Sequence, residues 1–474
     1  MEDVGVAGGR GVSAAGSTED RSDTVCIVGA GPHGLIAARA MRKSGLKVEI
    51  IERHSGVGGL WDIANPGTPM YRSCHYISSR NTSAYPDYPM PEDYADYPSN
   101  AHILAYIQGF ARKFDLIRLA EFNTEIQHAE PLESGDWTVT LKHVPSGDVC
   151  RRRYRALVCC PGSNWHPRMP ALEGAFSGEI IHSAAYTDSD QLEGKRVLII
   201  GLGNSGADIA CDSARSAAAT FVSVRRGYHF VPKYVCGMPL LEFLRGSREG
   251  VPQHIAELPL EDLFYIIVGD PTRLGLPKPD HGLLESHPLL NTQLIHHLGH
   301  GDVVAKGAIE RLDGNGVVFK DGSREDVDLI ICATGYDHLI PFIDPELIDW
   351  QDGRPQLYLG SFNARHPTLF VFGLIEAAGA PYLQGDQLSV MAAHYLKARK
   401  DTPDVARAWE QQVRTDVIDL KHGMHYIATN RTANYVNVEV FVREVERVRA
   451  LMGWPEVTPG FYDPACAPER AAAE

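Results

Sequence analysis

Two glycine-rich turns hold the residues of this sequence whose types and spacing could do chemistry. The first, in the stretch VCIVGAGPHGL, has the pattern Gly-x-Gly-x-x-Gly between an apolar run and an amphipathic run. In a turn from strand to helix, the first glycine permits the tight bend, the second lets the backbone approach a pyrophosphate, and the third lets helix and strand pack closely. Free N–H groups at the positive end of the helix dipole would bind the phosphates. The pattern predicts a dinucleotide site made by Gly29, Ala30, Gly31, Pro32, Gly34 and Leu35.

An acidic residue at the end of the next apolar run supports this prediction. The run KVEIIE ends at Glu52, 23 residues after Gly29. In dinucleotide-binding βαβ units, a carboxylate about 20 residues beyond the first glycine accepts hydrogen bonds from a ribose. We therefore expect Glu52 to bind a ribose with a free 2′-hydroxyl. The alternative is a surface carboxylate that only ends a strand.

The second turn, GLGNSG, repeats the pattern with Gly201, Gly203 and Gly206. The apolar run that follows, FVSVRR, reaches Arg225, 24 residues after Gly201. A guanidinium can bind a ribose 2′-phosphate with two hydrogen bonds, whereas a carboxylate would repel it. Arg225, with Arg226 beside it, predicts a phosphorylated dinucleotide, although a solvated basic corner is the alternative. Two such sites favour FAD at the first turn and NADPH at the second, with hydride passing from nicotinamide to flavin.

The composition excludes several classes of protein. The chain has 474 residues, with 45 Lys and Arg against 60 Asp and Glu, and so a formal net charge of −15. This excess of acid argues against a nucleic-acid partner. The absence of an apolar run of about 18 residues argues against a membrane-spanning helix. The nine cysteines include no Cys-x-x-Cys pair, which argues against a zinc site, a disulfide framework or a disulfide reductase, and favours a cytoplasmic protein without a metal.

The runs around the two turns must form the strands and helices that position them. Each turn lies in a strand–helix–strand pattern, and this alternation is typical of an α/β fold with parallel sheets. We expect ordered structure from about Thr24 and a helix capped near Ser99. Further helices are predicted at roughly 386–415 and 437–452, whereas 237–300 has no clear pattern.

Several further motifs carry a resemblance to a known family. Phe176, Gly178, His182 and Tyr186 match the fingerprint F-x-G-x-x-x-H-x-x-x-(Y/F) just before the second turn. The other matching motifs are, in order, GVGGLW (56–61), YRSC (71–74), GLGNSG (201–206) and ATGY (333–336). Over about residues 24–454 the chain resembles the flavin-containing monooxygenases, or class B flavoprotein monooxygenases. The related Baeyer–Villiger enzymes have Trp at the position of Tyr186.

The resemblance implies two Rossmann-like dinucleotide-binding domains, with the NADPH domain inserted into the FAD domain. This agrees with the two glycine turns. The implied segments are the first part of the FAD-binding domain (24–189), the NADPH-binding domain (190–325), the second part of the FAD-binding domain (326–454) and a C-terminal tail (455–474). The start (1–23) is rich in Gly, Ala and Ser and has no apolar run, so it is expected to be a disordered tail.

The resemblance also implies roles for individual residues, although it assigns no catalytic residue. Flavin contacts are implied for Gly59, Leu60, Trp61, Ser78 and Gln387, with Gln384 as the alternative to Gln387. Ile126 would approach the adenine through its backbone, Asn204 and Ser205 would lie on the nicotinamide side of the pyrophosphate, and Thr334 and Gly335 would connect the domains. His182 is expected to be a hydrogen-bonded residue of a linker, and Tyr186 to be a packing residue.

The activity that the resemblance implies is oxygen transfer. NADPH would reduce FAD, O₂ would add at flavin C4a, and the hydroperoxide would transfer one oxygen atom to an amine or sulfide of a small molecule. The partners would be that substrate and O₂, and a homodimer is compatible with this activity. No nucleophile–base pair can be assigned from spacing, and the reaction does not need one.

One position departs from the family pattern. After the YRS motif the family usually has an Asn that hydrogen-bonds near the C4a adduct, and this chain has Ile77 there. Isoleucine excludes water but can neither donate nor accept a hydrogen bond. Ser78, Asn81 or a shift by one residue could compensate. The departure keeps three alternatives open: a Baeyer–Villiger or carbon-hydroxylating enzyme, an NADPH oxidase that releases H₂O₂, and a redox sensor that only binds nucleotides.

Overall fold

The computed structural model describes residues 17–246, 248, 250–351, 353–376, 381–429 and 432–467. The helices in these ranges are α1 (Pro32–Lys43), α2 (Asn100–Lys113), α3 (Asn204–Ser216), α4 (Leu240–Leu244), α5 (Gln253–Ala256), α6 (Leu260–Val268), α7 (Gln293–His300), α8 (Pro381–Asp401), α9 (Pro403–Thr415) and α10 (Val438–Leu451). The strands are β1 (Thr18–Val28), β2 (Lys47–Ile51), β3 (Ala120–Glu121), β4 (Thr124–Pro131), β5 (Trp137–His143), β6 (Val149–Cys159), β7 (Gly174–Phe176), β8 (Glu179–His182), β9 (Arg196–Ile200), β10 (Ala219–Ser223), β11 (Tyr234–Val235), β12 (Met238–Pro239), β13 (Val303–Lys306), β14 (Ile309–Gly314), β15 (Gly316–Phe319), β16 (Arg324–Asp326), β17 (Leu329–Cys332), β18 (Trp350–Gln351), β19 (Arg354–Pro355) and β20 (Leu369–Val371).

The first sheet positions the first glycine turn. Its parallel part runs in the order β3–β2–β1–β6, and β20 pairs with the C-terminal end of β6. The strands β5 and β4 continue it antiparallel from the N-terminal half of β6. Val25, Cys26 and Ile27 near the C-terminal end of β1 are fully buried, because a parallel sheet is covered on both faces. The turn after β1 therefore lies at the carboxyl edge of the sheet, where open α/β sheets bind ligands.

The second sheet repeats this arrangement around the second turn. It is parallel throughout, in the order β13–β10–β9–β17–β8. The turn lies between β9 and α3, and β10 follows α3. The predicted α/β class with two dinucleotide-binding units is therefore confirmed. The strands of this sheet extend from Glu179 to Cys332, whereas the expected NADPH-binding domain is 190–325. They extend further because β17 pairs with β9, and β8 pairs with β17.

The first strand begins before the expected start at Thr24. β1 starts at Thr18, and its first residues pair with Arg151–Tyr154 of β6. Arg152 lies 3.1 Å from Glu19, and Arg21 lies 2.6 Å from Glu49. The polar sequence before Thr24 forms a strand because its charges pair across the sheet. Residues 1–16 of the expected disordered tail lie outside the described residues.

The C-terminal elements also differ from the expected ones. The helix predicted at 386–415 is two helices, α8 and α9, which are separated at Thr402. Pro403 takes the first position of α9, where its missing N–H costs nothing, but it cannot continue α8. The helix predicted at 437–452 is α10, with Asn437 as its N-cap.

The segment expected as a C-terminal tail packs against the first domain, with contacts as far as the Cys466 thiol, which donates to the Asp87 carbonyl. Three backbone N–H groups, those of Gly460, Tyr462 and Asp463, donate to the carboxylate of Asp87. The Tyr462 hydroxyl donates to buried Asp386 of α8 at 2.7 Å. Residues 468–474 of this expected tail lie outside the described residues.

Candidate functional site

One large cleft is lined by residues of both glycine turns. Its volume is about 1960 Å³, which exceeds the roughly 300–1,000 Å³ of a usual small-molecule site. The segments that connect the domains also line it, from Cys160 to His166 and from Ala333 to Tyr336. The cleft has room for more than one ligand.

In the first turn the glycines have different neighbours. Gly29 has φ +96°, and a Cβ there would lie 2.7 Å from the carbonyl oxygen of Cys160. A Cβ on Gly34 would lie 1.9 Å from the carbonyl oxygen of Gly29, whereas one on Gly31 would meet nothing nearer than Gly59 Cα at 3.7 Å. The first and third glycines are therefore required by packing, and the second leaves space beside the cleft.

The first turn presents backbone N–H groups to the cleft. No side chain among the described residues caps the N-terminus of α1, so its first N–H groups stay available to an anion. Gly29, Gly31 and Pro32 line the cleft. The side chains of Ala30 and Leu35 are fully buried in the core behind the turn, so these two residues would contact a cofactor only through their backbones.

Glu52 lies at the end of β2, on the same cleft. Its Oε2 accepts a hydrogen bond from the Ala30 N–H at 2.6 Å, and its Oε1 accepts one from the His54 N–H at 2.9 Å. Burial alone would raise the pKa of Glu52, but the hydrogen bonds from His54 and Ala30 outweigh it and lower the pKa. Glu52 is therefore a carboxylate that both braces the turn and can accept hydrogen bonds from a ribose.

The second turn has the same construction. Gly201 has φ +93°, and a Cβ there would lie 2.7 Å from the carbonyl oxygen of Ala333. A Cβ on Gly206 would lie 2.3 Å from the carbonyl oxygen of Gly201. No side chain of the described chain caps α3, which begins at Asn204. Gly203, Asn204, Ser205 and both outer glycines line the cleft.

The two arginines after β10 differ in their partners. Both line the cleft and are exposed. The Arg226 Nε donates to Asp280 at 3.0 Å. Arg225 has no acidic side chain within 4 Å in the part of the chain that the structure describes. Arg225 therefore has the donors that a 2′-phosphate needs.

The residues implied to contact the flavin meet the first turn. The Gly58 N–H donates to the Ala30 carbonyl at 3.1 Å, so the GVGGLW stretch lies against the turn. Gly59, Leu60 and Trp61 line the cleft. Ile126 on β4 lines it as well.

Ile77 and Ser78 line the same cleft, so the position that departs from the family pattern is part of the site. The Ser83 hydroxyl donates to the Ser78 hydroxyl at 2.7 Å. The Asn81 amide donates instead to Glu242 at 3.2 Å. Ser78 can therefore supply a polar group beside Ile77, and Asn81 is held elsewhere.

The side chain of Gln387, for which the resemblance implies a flavin contact, binds the C-terminal segment. Its side-chain amide exchanges two hydrogen bonds of 3.3 Å with the backbone of Val457. The parts of α8 that line the cleft are Pro381 and Tyr382. Gln387 therefore lies on the face of α8 toward the C-terminal segment.

His182 connects the fingerprint to the second connecting segment. Its Nδ1 accepts from the Ala184 N–H at 3.1 Å, so its Nε2 carries the proton and donates to the Gly335 carbonyl at 3.0 Å. The same carbonyl accepts from the Arg168 N–H, and the Thr334 hydroxyl donates to the Arg168 carbonyl. Burial lowers the pKa of His182, and the residue is a structural linker, as expected.

Two residues that line the cleft were not found from the sequence. The His287 Nδ1 lies 2.6 Å from the Tyr435 hydroxyl, and the His287 Nε2 lies 3.4 Å from the Asn204 amide nitrogen. His287 lies in the stretch 237–300, where no periodic pattern separates a cleft residue from a surface histidine. Tyr435 comes from the segment that precedes α10.

The described residues contain no group of three metal-ligating side chains, and every cysteine among them is a free thiol. In the described part of the chain, no helix is both long and apolar enough to cross a membrane.

The donors and spaces of the cleft fit two dinucleotides. Each turn has an uncapped helix N-terminus for a pyrophosphate. The two sites end in opposite charges, the carboxylate of Glu52 and the guanidinium of Arg225, which suit a free and a phosphorylated 2′ position respectively.

Comparison with known proteins agrees with this arrangement. The family model of flavin-binding monooxygenase-like proteins matches residues 22–448. The chain is 32% identical over 377 residues to mouse dimethylaniline monooxygenase (N-oxide-forming) 2, covering 75% of this chain and 70% of the relative. It is 30% identical over 400 residues to human flavin-containing monooxygenase 1, covering 80% and 74%.

Solved structures share the fold. S-allyl-L-cysteine S-oxygenase from Allium sativum has a TM-score of 0.62 at 21% identity, covering 92% of this chain and 90% of its own. A steroid monooxygenase bound to NADP has a TM-score of 0.62 at 24% identity, covering 91% and 98%. A cyclohexanone-bound cyclohexanone monooxygenase has a TM-score of 0.66 at 20% identity, covering 92% and 98%. Each glycine turn, together with the uncapped helix N-terminus that follows it, forms a cradle for one dinucleotide. With these two cradles and its match over residues 22–448, the chain belongs to the flavin-binding monooxygenase-like family of oxidoreductases, whose cofactors are FAD and NADPH.

Proposed function

We propose that the protein is an NADPH-consuming monooxygenase that transfers one oxygen atom from O₂ to an amine nitrogen or sulfide sulfur of a small molecule. The observation that carries the proposal is the single cleft in which two cradles of opposite charge meet. FAD is assigned to the turn beside Glu52 and NADPH to the turn beside Arg225. The N-oxide-forming name of the mouse relative supports a soft nucleophile as substrate.

The residues of this chain hold and shield the reactants. When bound, FAD reduced by NADPH would activate O₂, so that one oxygen atom goes to the substrate and the other leaves as water. The uncapped ends of α1 and α3 bind the two pyrophosphates, and Arg225 selects the phosphorylated ribose. Trp61 and Ile77 exclude water from the part of the cleft beside the GVGGLW stretch.

A product analysis tests this proposal. The purified, flavin-loaded protein would be incubated with NADPH, O₂ and a panel of tertiary amines and sulfides, and NADPH consumption, H₂O₂ and oxygenated product would be measured together. N-oxide or sulfoxide formed in near-equal amount to NADPH consumed is expected. An ester product from ketones would favour a Baeyer–Villiger enzyme instead, although the Tyr at position 186 argues against it.

A second candidate function is supported by one residue. Ile77 lines the cleft where the family pattern has a hydrogen-bonding Asn, and loss of that hydrogen bond favours release of H₂O₂ over oxygen transfer. Equal amounts of H₂O₂ and consumed NADPH across the whole substrate panel would identify an NADPH oxidase.

A further inference from the structure

Three side chains from separate segments form a hydrogen-bonded row beside the second glycine turn. Asn204 is the first residue of α3, His287 precedes α7, and Tyr435 precedes α10. All three line the cleft. His287 lies between the other two, 3.4 Å from the Asn204 amide nitrogen and 2.6 Å from the Tyr435 hydroxyl. We call these residues the Asn204–His287–Tyr435 row.

The contacts determine which ring nitrogen of His287 carries a proton. An amide nitrogen only donates, so Nε2 of a neutral His287 must be the acceptor toward Asn204. The proton is then on Nδ1, which donates to the Tyr435 oxygen. The Tyr435 hydroxyl oxygen can accept from Nδ1 and so stabilises the tautomer in which Nε2 of His287 accepts from the Asn204 amide.

The row crosses between the two domains. Asn204 and His287 belong to the domain of the second sheet, and Tyr435 belongs to the domain of the first. The Ile427 N–H donates to the Glu285 carbonyl at 2.9 Å close by, so the same two segments are also joined through their backbones. The orientation of Asn204 therefore depends on contact between the domains.

Tyr435 is itself held firmly in place. The backbone on both sides of it is tied to Glu376, whose N–H donates to the Asn434 carbonyl at 3.0 Å and whose carbonyl accepts from the Val436 N–H at 3.1 Å. The Asn434 amide contacts His338 at 2.5 Å. A rigid support of this kind is what a residue needs in order to orient a neighbour.

We propose that His287, supported by Tyr435, is a positioning residue that orients the Asn204 amide toward the nicotinamide half of NADPH. The inference rests on the proposed function, which assigns NADPH to the second turn. His287, in the stretch 237–300, would thereby have a role in nucleotide binding. Through this residue, nucleotide binding would depend on the contact between the domains.

The test measures NADP⁺ binding to the oxidised, flavin-loaded protein by calorimetry, without turnover. His287→Phe removes the acceptor for Asn204 and should weaken NADP⁺ binding about five- to ten-fold, as expected for one lost hydrogen bond. His287→Gln keeps an acceptor and should retain most of the affinity. Tyr435→Phe should weaken binding about three-fold. His296→Gln, on the exposed face of α7, is the matched control and should bind like wild type.

A double-mutant cycle separates positioning from a general structural role. Asn204→Ala should cost less affinity in the His287→Phe background than in wild type, because the amide is no longer oriented there. Flavin content and the circular dichroism spectrum report folding, and if His287→Phe does not fold, the cycle is run with Tyr435→Phe.

Three outcomes would count against the proposal. Wild-type affinity in His287→Phe would overturn it, and so would additive losses in the cycle. A wild-type protein that binds no NADP⁺ would overturn the proposed function as well.

Discussion

We expect the charge after β10 to determine which nicotinamide dinucleotide the second cradle accepts. Arg225 is exposed in the cleft, whereas its neighbour Arg226 is paired with Asp280. Arg225→Gln should raise the KM for NADPH about ten-fold or more, equivalent to about 1.4 kcal/mol, and leave the KM for NADH unchanged. Steady-state kinetics with both nucleotides measures this. Arg226→Gln is the control and should have a smaller effect, and an equal loss with NADH in Arg225→Gln would contradict the assignment.

Ile77 makes a second prediction at the residue scale. The side chain lines the cleft and offers no hydrogen bond, so Ile77→Asn should increase the share of NADPH electrons that reaches product and lower the share released as H₂O₂. The ratio of H₂O₂ formed to NADPH consumed measures this share. Ile77→Val keeps an apolar side chain and should leave the ratio unchanged. A ratio equal to wild type in Ile77→Asn would mean that Ser78 already supplies the needed polar group.

Among the elements, the C-terminal segment is joined to α1 and α8 through one buried carboxylate. Asp386 of α8 is fully buried and binds Arg39 of α1 at 2.8 Å and the Tyr462 hydroxyl at 2.7 Å. The guanidinium of Arg39 lies 3.6 Å from the centre of the Tyr462 ring. Burial raises the pKa of Asp386 to about 6, against the lowering effect of Arg39 and Tyr462. The segment is therefore fastened through a group that titrates near neutral pH.

This pKa predicts a pH dependence of stability. Because the pKa in the folded state is raised above the unfolded value of 3.8, the folded protein binds more protons between about pH 4 and pH 6. The stabilisation is complete below pH 4 and is lost as the pH rises through about 6. The temperature at the midpoint of thermal unfolding should therefore decrease for wild type, relative to Asp386→Asn, as the pH is raised from 4 to 7. Circular dichroism melts of the flavin-loaded proteins measure this difference. A difference that stays constant over this pH range would contradict the prediction.

The elements also explain which parts of the fold the sequence predicts. The βαβ units were predictable because glycine spacing and apolar runs are local signals, and both cradles lie where they were expected. The part of β1 that precedes Thr24 was not predictable, because its polar residues are stabilised by ion pairs with distant strands, such as Glu19 with Arg152. The side-chain contacts of Gln387 were not predictable, because only the fold brings the backbone of Val457 beside it. His287 had no local signal at all, since only the fold brings it to Asn204.

At the scale of the whole molecule, the two domains are joined through the helix that carries the second cradle. The Tyr71 hydroxyl donates to Asp208 of α3 at 2.9 Å, and the Ser73 and Tyr186 hydroxyls donate to Asp212 one turn later. Tyr71 and Ser73 belong to the YRSC motif, which leads directly to Ile77 in the cleft. The motif therefore sets the position of the α3 N-terminus relative to the flavin side of the cleft.

This connection predicts the effect of a single hydroxyl far from any reacting atom. Tyr71→Phe removes the bond to Asp208, whose carboxylate keeps its other bond from the Asn291 amide at 2.8 Å. One net hydrogen bond contributes about 0.5–1.5 kcal/mol, so α3 should shift more freely against the first domain. The rate of flavin reduction by NADPH should fall roughly two- to ten-fold, because the two cofactors would less often be in the geometry for hydride transfer. Stopped-flow absorbance of the flavin measures this rate.

The controls separate domain geometry from binding. Flavin content should stay at the wild-type value in Tyr71→Phe, because the first cradle is untouched. Tyr265→Phe changes a tyrosine of α6 that is 66% exposed and should reduce at the wild-type rate. A rate equal to wild type in Tyr71→Phe would show that the bond to Asp208 is not needed to hold the domains. A loss confined to the KM for NADPH would instead place the effect in the second cradle, since a change of geometry between bound cofactors must persist at saturating NADPH.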